Sequence, residues 1–466
     1  MKEVNKKLEE FEQYIRGKKV AIIGLGVSNI PLLDYLHNLK ANITVFDKRE
    51  INEIDKNILD KITEYGISFS FGNNYLSKLI GFDIIFRSPS CRPDLPEIQK
   101  ELENGAILTS EIEMLIELCP GKVIGITGSD GKTTTTTLIY EVLKQNGYNC
   151  YLGGNIGIPL FTKVHEMTKD DIVVLELSSF QLLTMKISPK ISVITNITPN
   201  HLDIHKSYEE YIEAKENIMK YQDGDSVAVL NYDNDITKEL GKKAKGIVRY
   251  FSSKTKLDEG YIVDGDVIKY CENKIRKHVI NTSELLLRGK HMYEDVVAAL
   301  SATKDFVDDE SAINVIKNFK GVEHRLEFVR ELDGVKWYND SIGTSPTRTI
   351  AGLQSFDEKI VLIAGGYDKH LDYTPLAKPI LDNVSSLILI GQTAEKIENA
   401  VKIEAEKENK EIPIYHCISL EETIATAKKV AKNGEIVLLS PASAAFDMFK
   451  NFAERGKLYK ELVNKL

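Results

Sequence analysis

The residues Thr127-Gly128-Ser129-Asp130-Gly131-Lys132-Thr133 place glycines, a lysine and a hydroxyl in one short run. Glycines let backbone amides approach a phosphate, Lys132 supplies positive charge, and the Thr133 hydroxyl can ligate Mg²⁺. The apolar stretch VIGI precedes the run and TTTTLIYEVLKQNG follows it, so a strand, a loop and a helix N-terminus would face one anion. The run is not a strict nucleotide loop, because Ile126 stands where that pattern has its first glycine. A plain glycine turn is the bland alternative, and the Lys-Thr pair in this setting argues against it.

Other polar residues gain meaning only in combination. Glu176 ends DIVVLEL, a buried-strand pattern, where a carboxylate needs a cation partner. His201 follows ISVITNIT, with Asp203 and His205 close behind; alone it reads as a surface or capping histidine. Lys215 lies among the glutamates of SYEEYIEAKENIMKY, the setting of a solvated helix face. Gly24-Leu25-Gly26-Val27-Ser28-Asn29, with Asp47 ending the next strand, is half of a dinucleotide fingerprint that fails at Asn29. Taken singly, Arg325 reads as a surface ion-pair residue and Phe452 as core.

The elements that must position these residues alternate as short β-branched runs and longer helical patterns, which predicts parallel α/β sheets. Three strands run into glycines: VAIIGLG at 20–26, VIGITGSDGKT at 123–133 and IVLIAGGYDK at 360–369. A length of 466 residues suggests about three domains, and 42% apolar residues can fill a core in each. The expected limits are 1–112, 113–320 and 321–466, with Pro120 and Gly121 punctuating the first junction. Strands are expected near 19–24, 43–46, 67–71 and 82–86, and a hairpin late in the second domain.

A net charge of −9 argues against nucleic acid as the main partner. The five cysteines, Cys91, Cys119, Cys150, Cys271 and Cys417, form no CxxC pair and read as reduced thiols. The charged N-terminus has no secretory apolar stretch, and no segment has the uninterrupted apolar length of a membrane span. A cytoplasmic protein without membrane insertion is expected.

The phosphate run resembles that of the Mur ligases and their folylpolyglutamate synthetase relatives, which join an amine to a carboxylate through an acyl phosphate. The resemblance continues in order through Gly154-Asn155-Ile156-Gly157, Glu176-Leu177-Ser178-Ser179-Phe180-Gln181, Asn196-Ile197-Thr198-Pro199-Asn200-His201-Leu202-Asp203 and Ala214-Lys215. It reaches the last domain at His324-Arg325, Asn339-Asp340-Ser341, Gly365-Gly366-Tyr367-Asp368-Lys369 and SPASAAFDMFKNFAERG. These last motifs resemble the branch whose acceptor is D-glutamate.

The resemblance implies a Rossmann-like N-terminal domain, a central P-loop ATPase-type domain and a Rossmann-like C-terminal domain. Its substrates would be ATP, UDP-N-acetylmuramoyl-L-alanine and D-glutamate, in peptidoglycan synthesis, with one copy of the chain acting as a monomer. Thr133 and Glu176 would hold one Mg²⁺, and His201 with a CO₂-derived carbamate on Lys215 a second. Gly128, Ser129, Asp130, Gly131, Lys132, Thr133, Thr134, His291, Asp295, Arg325 and Asp340 would bind ATP, with Met292 and Asp295 standing where asparagines are common. Catalysis would rest on Lys132, Glu176, His201, Lys215, Arg325, Asp340 and Lys369. The sugar nucleotide would meet Val27, Ser28, Asp47, Arg49, Ser88 and Asn155, with Ser90 replacing a usual glycine. D-glutamate would meet Thr344, Lys369, Ser443, Ala445 and Phe452, with Ala445 replacing a common serine. Domain closure is expected, because an exposed acyl phosphate hydrolyses. A ligase with another acceptor would keep the ATP motifs but not the last segment, and a non-catalytic nucleotide-binding regulator need not keep Glu176, His201 and Lys215 together.

Overall fold

The computed structural model describes residues 4–199, 204–287, 290–369 and 371–466, with backbone alone at 290 and 291. Its strands form three sheets. The first has the order Ser68–Phe71, Asn42–Asp47, Lys19–Ile23, Ile84–Arg87, Ile107–Thr109, and every pair is parallel. Parallel neighbours need crossovers, which the helices Ile30–Asn38, Lys56–Glu64 and Pro96–Glu103 supply. The strand Ile107–Thr109 is too short to show a period in the sequence.

The second sheet has nine strands, with Lys122–Thr127 between Ile191–Ile194 and Ile172–Glu176, all parallel. The central strands are buried on both faces and therefore read as continuous apolar runs. At its far edge Gly260–Asp264 and Val267–Glu272 pair antiparallel, the expected hairpin. The third sheet has the order Glu327–Leu332, Val335–Asn339, Ile436–Leu439, Ile360–Ala364, Val384–Ile390, Ile414–Cys417. Only its first pair is antiparallel.

The chain forms two compact units, Met1–Ile280 with Glu294–Val315, and Asn281–Tyr293 with Ile316–Leu466. The first unit holds the first two sheets around one continuous apolar cluster that includes Leu36, Leu115, Phe161 and Leu175. Tyr35 packs edge-on to Phe161 at 5.0 Å, and Asn5 donates to the Leu118 carbonyl at 2.7 Å. The helix Glu111–Leu118 is therefore buried between the two sheets, as its apolar content predicts. The second unit packs helices on both faces of the third sheet, with separate apolar clusters around Leu362 and Trp337.

Candidate active site

Strand order brings three loops to one carboxyl edge of the second sheet: those after Thr127, Glu176 and Ile194. The phosphate run starts the helix Lys132–Gln145. Gly128 and Gly131 both have positive φ, and a Cβ on Gly128 would lie 1.8 Å from the Thr195 hydroxyl oxygen. Only glycine fits both the backbone angle and the space there. The Lys132 ammonium donates to the Gly128 and Ser129 carbonyls, each at 2.9 Å. Thr134 is buried in the first helical turn, so its amide is the group it could offer a phosphate.

Residues outside the motif hold the loop. Asn196 accepts from the Asp130 amide through Oδ1 and from the Ser129 amide through its carbonyl, both at 2.9 Å. Thr195 donates to the Asp130 carbonyl at 2.5 Å. The Tyr211 hydroxyl pairs with the Ser129 hydroxyl at 2.8 Å. Tyr211 and Lys215 share one face of the helix Tyr208–Lys220, a four-residue spacing the sequence already contains. Asp295, expected among the ATP contacts, lies against the loop: it accepts from the Thr135 hydroxyl at 3.2 Å and occupies the space that a Cβ on Gly131 would need.

Glu176 is 2% exposed. Thr133 donates to its Oε2 at 2.7 Å and Asn155 to its Oε1 at 2.8 Å. A carboxylate and a hydroxyl converging at a helix N-terminus are hard oxygen donors, which fits Mg²⁺. Asn155, expected on the sugar nucleotide, thus orients this carboxylate. Lys215 is 1% exposed, so the expected solvated face is not its setting. Its amine donates to the Gly128 carbonyl at 2.7 Å and the Thr127 hydroxyl at 3.2 Å, with the Tyr211 ring 4.8 Å away. Burial first, and the nearby Lys132 cation second, hold the Lys215 amine well below its ordinary pKa. A neutral amine is the form that reacts with CO₂. His201 lies outside the described residues, as does the His291 side chain. Among the described residues, no cluster of three or more His, Cys, Asp or Glu could hold a metal by itself.

At the edge of the first sheet, Asp47 accepts from the Leu25 amide at 2.8 Å and pairs with Arg49 at 2.7 Å. Arg49 in turn donates to the Leu25 carbonyl at 3.0 Å. Asn29 is no loose departure from the fingerprint: its amide donates to the Ile23 and Gly24 carbonyls at 3.1 and 2.9 Å, closing the glycine turn. Val27 is exposed and Ser28 half-buried beside that turn. Ser88 meets Ser90 hydroxyl to hydroxyl at 2.9 Å, and a Cβ on Gly24 would strike the Ser88 hydroxyl.

In the second unit, Asp340 is buried and accepts from the Ser440 hydroxyl at 2.6 Å and the Leu326 amide at 3.3 Å. Burial pushes its carboxyl up to about 7, with those bonds and then Arg325 opposing the shift. Arg325 and Thr344 are half-buried. The Lys369 ammonium is exposed, 5.4 Å from the Phe446 ring centroid. Phe446 was not among the expected residues, and its only sequence signal is an aromatic beside Ala445. Ser443, expected at the acceptor, is fully buried, its hydroxyl bonded to the Tyr373 and Thr393 hydroxyls at 2.8 Å each. Ala445 is buried, and Phe452 opens the helix Phe452–Asn464 with its carbonyl accepting from Ser341 at 2.7 Å.

Three family descriptions match the chain: "Mur ligase MurD-like, N-terminal domain" over 18–110, "Mur ligase middle domain" over 126–303 and "Mur ligase, glutamate ligase domain" over 324–443. A curated protein of Acetivibrio thermocellus called "UDP-N-acetylmuramoylalanine--D-glutamate ligase" is 51% identical over 99% of this chain and 100% of its own length. A protein of the same description from Clostridium tetani is 50% identical with the same coverage. Among solved structures, a UDP-N-acetylmuramate-alanine ligase from Thermotoga maritima matches at TM-score 0.57 and 18% identity, over 96% of this chain and 99% of that one. That likeness concerns the fold.

Proposed function

Because the chain belongs to the Mur ligase family, we infer that it joins D-glutamate to UDP-N-acetylmuramoyl-L-alanine with ATP, a ligase step of peptidoglycan synthesis. The observation that carries this is the full-length match, near half identity, to relatives of that one description.

The proposed chemistry has two steps. The L-alanyl carboxylate attacks the γ-phosphorus of ATP, forming an acyl phosphate and releasing ADP. The D-glutamate amine then attacks the acyl carbon, and the tetrahedral species expels phosphate as the amide forms. Lys132 is the group for the transferring phosphate, since phosphoryl transfer asks mainly for positioning and charge. Mg²⁺ at Thr133 and Glu176, with a second ion at His201 and a carbamate of Lys215, would neutralise phosphate charge. The buried neutral amine of Lys215 supports the carbamate, and the Thr133–Glu176 pair supports the metal. Arg325 and Asp340 are proposed at the nucleotide, and Lys369, Thr344 and the Ala445 and Phe452 amides at the acceptor carboxylates. Val27, Ser28, Asp47, Arg49 and Ser88 are proposed at the sugar nucleotide.

The domain limits 1–112, 113–320 and 321–466 are proposed, and each matched family span falls within one of them. A cytoplasmic, monomeric enzyme is proposed; among the described residues no helix is long and apolar enough to cross a membrane. The test is phosphate release from ATP with a panel of UDP-muramyl precursors and amino acids. Activity that requires UDP-N-acetylmuramoyl-L-alanine and D-glutamate is expected, and dependence on another pair would overturn the reading.

A further inference from the structure

Arg87 ends the strand Ile84–Arg87, and only 1% of it is exposed. One arm of its guanidinium donates to the carbonyls of Ser88, Pro89 and Cys91 at 3.2, 3.3 and 2.7 Å. The other arm leaves the first sheet and donates to the Phe180 carbonyl at 2.9 Å and the Thr184 hydroxyl at 3.2 Å. Among the described residues, Nε has no hydrogen-bond partner. None of these five acceptors is a carboxylate. Taking a cation out of water without a bonded anion is costly, and an apolar side chain would fill the same space more cheaply if packing alone were at stake.

Arg92, on the other side of the same loop, is half-buried and paired with carboxylates. It donates to both Glu210 oxygens at 2.7 and 3.0 Å, to the Ile204 carbonyl at 2.9 Å, and to Asp94 at 2.8 Å. Glu210 sits on the helix that carries Lys215, and Phe180 follows the strand that ends in Glu176. The loop 88–91 is therefore tied by one arginine to the Glu176 segment and by another to the Lys215 helix.

We propose that Arg87 and Arg92 are positioning residues: they fix the sugar-nucleotide loop 88–91 against the Glu176 and Lys215 segments and so set how the donor carboxylate meets the γ-phosphate. This rests on the ligase reading above. Misplacing a reacting group by about 1 Å can cost ~100-fold in rate, so the clamp acts on alignment as well as binding. Lysine at 87 keeps the charge but cannot span acceptors in both directions.

The test compares wild type, R87A, R87K, R92Q and T184V in steady state, varying each substrate in turn, beside thermal unfolding. We expect R87A to raise KM for UDP-N-acetylmuramoyl-L-alanine and lower kcat by ~10-fold or more each, with KM for ATP within ~3-fold of wild type. Added guanidinium ion should restore part of the loss in R87A. R87K, R92Q and T184V should show the same substrate split to smaller degrees, and they carry the test if R87A does not fold. Wild-type kinetics in these variants, or equal losses for every substrate with no guanidinium rescue, would overturn the clamp. Wild type inactive with this substrate pair would instead sink the ligase reading, so the two failures are distinct.

Discussion

The Thr133 hydroxyl donates to the Glu176 carboxylate at 2.7 Å, joining the first helical turn after the phosphate loop to the end of the neighbouring strand. If these two oxygens share a Mg²⁺, Thr133→Val and Glu176→Gln should each lower kcat by ~100-fold or more, the scale of losing one charge-stabilising group. The Mg²⁺ concentration for half-maximal phosphate release should rise in Thr133→Val. An unchanged Mg²⁺ titration in that variant would remove Thr133 from the metal site.

Lys215→Ala should abolish phosphate release, measured at a temperature where the variant remains folded by its unfolding curve. Short carboxylates such as formate or acetate can take the place of a carbamate. They should restore measurable turnover to Lys215→Ala and none to Glu176→Gln. Failure of every carboxylate to do so would count against the carbamate.

Much of this was legible in the sequence, and what was not has a common cause. Parallel strands buried on both faces leave continuous apolar runs, so Lys122–Thr127 and Ile360–Ala364 could be read directly with their glycine loops, and Ile172–Glu176 from its run alone. Lys215 looked solvated because propensity sees its glutamate neighbours along the chain and not the Gly128 carbonyl that it meets across the fold. Asn29 and Asp295 looked like departures from a pattern, yet Asn29 closes a glycine turn by two side-chain bonds and Asp295 accepts from Thr135 beside Gly131, which spacing does not reveal. Arg87 and Arg92 were invisible for the same reason: their partners lie far along the chain, at Phe180, Thr184, Ile204 and Glu210.

Lys369 is expected to face an acceptor carboxylate, and the Phe446 ring 5.4 Å from its ammonium limits where that charge can point. Lys369→Ala should raise KM for D-glutamate by ~10-fold or more with KM for ATP unchanged, since a lost charge-assisted bond is worth about 1.5–3 kcal/mol. Phe446→Ala removes only a cation–π contact of about 0.5–1 kcal/mol, so KM for D-glutamate should rise ~2–5-fold. Equal effects on ATP and D-glutamate in Lys369→Ala would show that this lysine does not read the acceptor.

Glu111 opens the helix Glu111–Leu118 between the first two sheets and accepts from the Phe161 amide at 2.9 Å. It is 5% exposed, and burial pushes its carboxyl up to about 7 despite the bonds from Phe161 and Leu160. The folded state thus favours the protonated acid. Its contribution to stability is full below the ordinary glutamate range and is lost as pH rises through about 7. Glu111→Gln keeps an acceptor for the Phe161 amide and has no charge to bury, so the melting temperature of the variant minus that of wild type should grow more positive from about pH 5 to pH 8. The growth should be a few degrees, because a shift of this size is worth at most about 3 kcal/mol. Asp340 is pushed to the same range but is present in both proteins, so its contribution cancels in the difference. A difference that stays flat across this range would mean that Glu111 ionises normally and that the junction between the sheets admits water.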